Sequence, residues 1–184
     1  MAHILCIAGH PHPEQSLANA AILAEVEKAG LDLTVENLAE TGGQWDIAAE
    51  QEKVKAADVL VFQFPFYWYS YPALLKKWVE EVLAHGFAYG STGTALKGKD
   101  FFLSFTTGGA KDTYRPGGVQ NRPVEEYLYN FDQLALFTGM KAHAPFVTYG
   151  CMYVPGVSAE ADKERILKDC QASAQKLIAA LEKC

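Results

Sequence analysis

The stretch VLVFQFPFYWYSYPALLKKWV, residues 59–79, reads in turn as a strand, a loop and a helix. Its apolar start, Val59–Phe62, is typical of a buried strand. From residue 73 apolar residues recur at helical spacing, and Pro72 stands just before them, where a missing N–H costs little. The loop carries five aromatic residues between Pro65 and Pro72, which is unfavourable for a segment surrounded by water. We expect this loop to form the wall of a site for a flat, apolar ligand. The alternative is a buried hydrophobic plug.

Strand-like and helix-like segments alternate along the rest of the chain. The predicted strands cover residues 3–8, 31–35, 59–62, 101–105 and 144–148; the predicted helices cover 16–29, 46–57, 72–84 and 124–137, with a last one capped by Ser158. This alternation indicates an α/β fold with a parallel sheet covered on both faces. The flavodoxin-like order 2-1-3-4-5 is the natural doubly wound solution, with its ligand crevice at the carboxyl ends of strands 1 and 3. With no linker present, we predict a single domain over residues 1–184.

Composition excludes several classes of protein. The formal net charge of −6 argues against a nucleic-acid partner. No apolar stretch approaches the ~20 residues of a membrane span, and the N-terminus lacks the regions of a signal peptide. Four widely separated cysteines without a CxxC pair indicate neither a zinc site nor a disulfide framework. We therefore expect a cytoplasmic protein without a metal.

The loop after the first predicted strand, GHPHPEQSLAN at residues 9–19, opens the first helix. A helix N-terminus favours an anion through its free N–H groups and its dipole. Ser16, Asn19 and His10 add hydroxyl, amide and ring N–H donors suited to a phosphate. The alternative is that Ser16 only caps the helix and the His-Pro pairs stiffen a turn. The loop contains neither the GxGxxG nor the P-loop motif.

The loop after the fourth predicted strand begins Thr106-Thr107-Gly108-Gly109, and Tyr114 follows five residues later. Two glycines let backbone N–H groups approach a planar heterocycle closely. In the predicted order this loop lies beside the phosphate donors and the aromatic wall, which together fit flavin mononucleotide (FMN). Backbone N–H groups in the 66–69 loop could donate hydrogen bonds to N5 and O4 of the flavin. Gly108, Gly109 and Tyr114 could donate to N1 and O2, where hydrogen-bond donors stabilise the reduced ring.

At these residues the chain resembles the NAD(P)H:quinone oxidoreductase family, flavoproteins of the DT-diaphorase type with a flavodoxin-like fold. The bacterial branch, which includes the ancillary flavoproteins of glutathione-gated potassium efflux systems, is the most similar. The resemblance rests on the order and spacing of many segments, namely residues 10–19, 46–51, 57–58, 65–69, 72–76, 85–90 and 106–109, and Gly139.

The resemblance implies a ping-pong reaction. NADH or NADPH reduces the flavin, the oxidised nicotinamide leaves, and a quinone takes the place of the nicotinamide and is reduced. It also implies a homodimer with its sites at the interface. Trp68, Tyr69, Tyr89 and Phe137 would line the shared pocket, the last two from the partner subunit. The cofactor-binding residues would be His10, Ser16, Leu17, Ala18, Asn19, Pro65, Phe66, Tyr67, Trp68, Tyr69, Thr106, Thr107, Gly108, Gly109 and Tyr114.

Tyr114 matches the family tyrosine that donates to the reduced flavin, but Gln120 stands where DT-diaphorase has a histidine. A glutamine can donate a hydrogen bond but cannot carry the proton, so we expect a flatter pH dependence near neutrality. Lys111, Arg115 and Arg122 are either contacts for the 2′-phosphate of NADPH or solvated charges. FAD is the alternative cofactor.

The resemblance leaves two other functions open. One is a regulatory subunit that binds a potassium efflux transporter, which would place the protein at the periphery of the inner membrane. The other is an azo- or nitroreductase, which differs only in its electron acceptor.

Overall fold

The computed structural model describes residues 1–184 and contains one fully parallel sheet. Its order, β2-β1-β3-β4-β5, is the predicted flavodoxin-like order, with a short β6 that also pairs with β4. The strands are β1 Ile4–Ala8, β2 Leu33–Asn37, β3 Val59–Pro65, β4 Asp100–Thr106, β5 Lys141–Ala142 and β6 Phe146–Thr148. The single strand predicted at 144–148 is therefore wrong in its bounds. Two short strands share the fifth position, and the break between them contains Pro145, which has no N–H to donate to a sheet.

Five helices cover the two faces of the sheet: α1 Ala18–Glu27, α2 Ile47–Ala56, α3 Ala73–Val82, α4 Tyr129–Thr138 and α5 Glu160–Leu181. None of them is both long enough and apolar enough to cross a bilayer. The helix predicted from Val124 is instead a 3-10 turn over Val124–Tyr127 followed by α4, because Leu128 leaves the helical conformation at φ −97° and ψ 0°.

The predicted cap of the last helix is also wrong. The helix begins after Ala159, whose N–H donates to the Asp162 carboxylate at 3.3 Å. The Ser158 hydroxyl accepts from the N–H of Val154 at 2.9 Å instead, so it closes the preceding loop rather than the helix.

Each face of the sheet carries its own apolar cluster. Phe62 and Phe64 of β3 pack with the fully buried Trp78 beneath α2, α3 and α4. Val59 and Val61 of the same strand point to the opposite face, which α1 and α5 cover. This alternation is the two-residue period of a strand buried on both sides.

The register of the sheet brings four loops to one edge. Ala8 pairs with Gln63, Pro65 with Thr106, and Thr106 with Thr148. Since all strands are parallel, the loops after β1, β3, β4 and β6 leave the sheet side by side.

Candidate functional site

A cavity of about 280 Å³ lies at this edge of the sheet. The residues predicted to bind the cofactor supply eleven of its sixteen lining residues: His10, Ser16, Leu17, Ala18, Asn19, Pro65, Phe66, Tyr67, Thr106, Thr107 and Gly108. Sequence reasoning missed the other five, which are Gln15, Cys151, Met152, Tyr153 and Pro155. Four of these follow β6. The rule that loops after parallel strands share an edge would have found them if extended to the last strand.

The N-terminus of α1 opens into this cavity without an internal cap. Leu17 is the N-cap residue, and the Ser16 hydroxyl is shielded from solvent without any hydrogen-bond partner in the protein. The N–H groups of Leu17, Ala18 and Asn19 also have no acceptor. Ser16 therefore does not cap the helix, which was the alternative interpretation. A hydroxyl and adjacent N–H groups at the positive end of a helix dipole form a site suited to an anion.

The N-terminus of α2 shows the contrasting arrangement. The carboxylate of Asp46 accepts from the N–H groups of Ala48 at 2.9 Å and Ala49 at 3.2 Å. There the chain supplies its own anion, whereas α1 leaves the equivalent donors open.

His10 turns one ring nitrogen to the backbone. Its Nδ1 lies 3.0 Å from the N–H of His12 and accepts from it, which leaves the ring hydrogen of the neutral form on Nε2. The hydroxyl of Tyr67 lies 3.5 Å from Nε2. Burial lowers the pKa of His10, with a further decrease from neighbouring His12 that Glu14 opposes. At neutral pH the free protein thus presents a neutral imidazole with an Nε2–H donor.

Asn19 connects α1 to the sheet. Its Nδ2 donates to Thr106 Oγ1 at 2.9 Å, and its Oδ1 accepts from Gln63 Nε2 at 2.8 Å. All three side chains are buried. The side-chain amide predicted to bind phosphate is therefore already engaged at both atoms, and the backbone N–H of Asn19 is its group without an acceptor.

The aromatic loop closes as a tight hairpin turn between Tyr67 and Ser70. Trp68 and Tyr69 occupy its centre with φ of +48° and +65°, a conformation that costs a bulky residue about 1–2 kcal/mol. Phe66 N–H donates to Thr106 O and Tyr67 N–H to Pro65 O, so two of the predicted backbone donors are already used. The N–H groups of Trp68 and Tyr69 have no acceptor.

The Trp68 side chain is 93% exposed, and only Phe66 of residues 66–69 is buried. This exposure does not fit a hydrophobic plug. Strained backbone with free donors and a presented aromatic ring is the kind of arrangement that occurs at functional sites.

Gly109, Tyr114 and Gln120 form a group beside the cavity but do not line it. A Cβ atom at Gly109 would lie 3.0 Å from Gln120 Nε2 and 3.1 Å from Tyr114 Cε2, so both side chains pack closely on this glycine. The N–H groups of Gly108 and Gly109 have no acceptor. Burial raises the pKa of Tyr114, so its hydroxyl stays protonated and can donate at neutral pH.

None of the four residues predicted for the substrate pocket, Trp68, Tyr69, Tyr89 and Phe137, lines this cavity in the single protomer. Tyr89 and Phe137 pack against each other with ring centroids 5.4 Å apart. Phe137 is 64% exposed and its neighbour Leu136 is 74% exposed, so α4 presents an apolar surface to solvent.

Two of the three candidate residues for the 2′-phosphate of NADPH have partners of their own. Arg122 pairs with Glu126 at 2.6 Å, and Arg115 Nε donates to Asp112 O at 3.0 Å. Lys111 lines a separate groove along β6 and α5.

The sequence matches the profile of a family described as flavodoxin-like fold over residues 2–177. It is 38% identical over 170 residues to general stress protein 14 of Bacillus subtilis, covering 91% of this chain and 97% of that protein. It is 35% identical over 168 residues to the uncharacterized NAD(P)H oxidoreductase YrkL of the same bacterium, covering 89% and 94%. With the glutathione-regulated potassium-efflux system ancillary protein KefF of an Enterobacter species it shares 41% identity over 155 residues, covering 82% and 85%.

Solved structures of similar proteins superpose over nearly the full chain. General stress protein 14 from Treponema denticola, in complex with FMN, gives a TM-score of 0.85 at 32% identity and covers 97% of this chain and 99% of that one. An NADPH-quinone reductase from P. pentosaceus gives a TM-score of 0.77 at 27% identity, covering 94% and 97%.

Proposed function

The chain belongs to the flavodoxin-like family, and from this premise we propose that it is an FMN-dependent NAD(P)H:quinone oxidoreductase that acts as a homodimer. The observation that carries the proposal is the uncapped N-terminus of α1, where the buried Ser16 hydroxyl and the N–H groups after it lack partners. A phosphate would satisfy these donors. The similar protein from Treponema denticola binds FMN, which supplies such a phosphate.

The residues around the cavity fit the rest of this cofactor. Free N–H groups of Trp68 and Tyr69 on one loop, and of Gly108 and Gly109 on the next, are donors suited to the polar atoms of a planar heterocycle. Bound FMN would supply the two-electron chemistry, taking a hydride from NAD(P)H and passing it on. The chain supplies binding and orientation, and Tyr114 supplies a protonated donor for the charge of the reduced ring.

Gln120 lies beside Tyr114 but has no titratable proton. We therefore propose that turnover depends only weakly on pH near neutrality, in contrast to an enzyme with a histidine at this position. FAD remains the alternative cofactor, and either NADH or NADPH can serve as the donor in this proposal.

The exposed surface of α4 supports the dimeric part of the proposal. Phe137 and Tyr89 lie outside the cavity of their own protomer, and Leu136 and Phe137 expose apolar side chains to solvent. In a homodimer packed through α4, these side chains would complete the acceptor pocket of the partner and be shielded from water.

The test is a titration of purified protein with FMN, FAD and riboflavin, followed by NADH and NADPH oxidation with menadione, benzoquinone, an azo dye or a nitroaromatic compound. We expect tight FMN binding and the largest stimulation by a quinone. Protein that takes up neither FMN nor FAD would refute the proposal, and preference for the azo or nitro compound would replace the quinone as acceptor.

A second role, as a regulatory subunit of a potassium efflux transporter, is favoured by the 41% identity to KefF. The two roles are compatible in one protein. Co-purification with a transporter from the native host and loss of efflux in a deletion strain would support the regulatory role, and normal efflux in that strain would oppose it.

A further inference from the structure

Tyr127 connects the two segments that flank the proposed flavin site. It stands at the end of the 3-10 turn Val124–Tyr127, just before α4. Its ring stacks on Tyr69 with centroids 5.0 Å apart and planes 23° apart. The same ring packs edge-on against Phe66 at 6.1 Å and Tyr114 at 6.5 Å. The side chain thus contacts the strained aromatic loop on one side and the segment that carries Tyr114 on the other.

The hydroxyl of Tyr127 makes a second, separate connection. It donates to the backbone carbonyl of Gln120 at 2.5 Å. Gln120 N–H in turn donates to Thr113 O at 3.1 Å, which closes the turn around Tyr114. The ring therefore contacts both segments, whereas the hydroxyl holds only the segment of Gln120, and the hydroxyl can be removed while the ring is kept.

We propose that Tyr127 is a positioning residue that sets the aromatic loop against the segment of Tyr114 and Gln120. Its ring supports the left-handed conformation of Tyr69, and its hydroxyl fixes the main chain at Gln120. This inference rests on the proposed function in one point only, namely that the two segments bind the two edges of a flavin. The contacts of Tyr127 themselves are contacts of the protein without cofactor.

Two substitutions separate the two connections. Tyr127→Phe removes the hydroxyl and keeps the ring, whereas Tyr127→Leu removes both. Tyr129→Phe is the matched control, since Tyr129 lies two residues away, is exposed, and forms neither an aromatic pair nor a hydrogen bond with either segment. The readout is backbone hydrogen exchange in the apo protein. The reporters are amides that the fold protects: Tyr67 and Ser70 in the aromatic loop, and Gln120 to Arg122 in the other segment.

We expect Tyr127→Phe to speed exchange at residues 120–122 and leave Tyr67 and Ser70 unchanged. Tyr127→Leu should speed exchange in both segments and weaken FMN binding by between about twofold and tenfold, the range expected for loss of an aromatic pair. Tyr129→Phe should change neither. Equal effects of the Phe and Leu variants on both segments, or wild-type exchange in both variants, would overturn the proposal.

Because hydrogen exchange is measured without cofactor, the result distinguishes failure of the Tyr127 proposal from failure of the proposed function. If the expected split is found but the wild-type protein binds neither FMN nor FAD, the proposed function fails and the connection through Tyr127 stands. If FMN binds and the split is absent, only the role of Tyr127 fails.

Discussion

The hydroxyl group of Ser16 is shielded from water and has no partner in the protein, although nearly all buried polar side chains in folded proteins are hydrogen-bonded. Replacing it by Ala therefore removes no interaction of the free protein. We expect Ser16→Ala to leave the free energy of unfolding within about 0.5 kcal/mol of the wild type. FMN binding should weaken by about 10- to 100-fold, since hydrogen bonds to charged groups contribute about 1.5–3 kcal/mol. Riboflavin, which lacks the phosphate, should bind as before.

Asp46→Ala is the matched control, because the N-terminus of α2 is capped by its own side chain whereas that of α1 is not. Asp46 caps α2 through two backbone N–H groups, so its removal should cost about 1 kcal/mol of stability and leave the ratio of FMN to riboflavin affinity unchanged. Chemical denaturation and flavin fluorescence titration measure both quantities. A Ser16→Ala protein that loses stability and keeps its preference for FMN over riboflavin would contradict the assignment.

The lowered pKa of His10 predicts that the stability of the apo protein depends on pH. Burial lowers its pKa below the ordinary 6.5, so the unfolded chain takes up a proton more readily than the folded one. The contribution of neutral His10 to the free energy of unfolding is fully present above pH 6.5. It is lost as the pH falls through that value toward the lower pKa of the folded protein. His10→Gln should therefore flatten the loss of unfolding free energy between about pH 7.5 and about pH 5. An unchanged slope in denaturation curves over this range would show that other groups account for it.

The turn at Trp68 and Tyr69 combines backbone strain with exposure. Trp68→Gly relieves a positive φ and removes an exposed ring, so stability should rise by up to about 1 kcal/mol after the entropy of glycine in the unfolded chain is counted. Turnover with a quinone should fall, because the ring proposed to face the acceptor is gone.

Asn121→Gly is the control for the strain, since Asn121 also has a positive φ but asparagine tolerates this conformation. Its gain in melting temperature should be smaller, with turnover preserved. Destabilisation by Trp68→Gly would mean that Trp68 stabilises the turn rather than strains it.

The surface of α4 leads to a prediction about assembly. Phe137→Glu places a charge on the exposed apolar surface proposed to form the dimer. By light scattering after size-exclusion chromatography the variant should be a monomer, with FMN binding retained and quinone turnover strongly reduced. Leu167→Glu on α5, which packs on the opposite face of the sheet, should leave the assembly unchanged. A wild-type protein that is already monomeric would refute the dimeric part of the proposal.

The sheet order and the edge at which the cavity lies were predictable from sequence, because both follow from the alternation of buried strands and helices in a doubly wound fold. The split of the fifth strand was not, since a proline break and two edge segments of two and three residues give little periodic signal. The occupied amide of Asn19 and the used N–H groups of Phe66 and Tyr67 were also missed. The bonds of Asn19 and Phe66 to Thr106 depend on tertiary register, since Asn19 and Thr106 are 87 residues apart in the chain, and the bond of Tyr67 to Pro65 depends on the tight turn that follows.

The central claim is that one flavin at this edge of the sheet carries electrons from NAD(P)H to a quinone in two separate steps. The most direct test is a spectrum of the FMN-loaded protein under anaerobic conditions. One equivalent of NADH or NADPH should bleach the yellow absorbance, and one equivalent of menadione or benzoquinone, added afterwards, should restore it. Absorbance that neither nicotinamide bleaches, or a bleached protein that neither quinone reoxidises, would contradict the account.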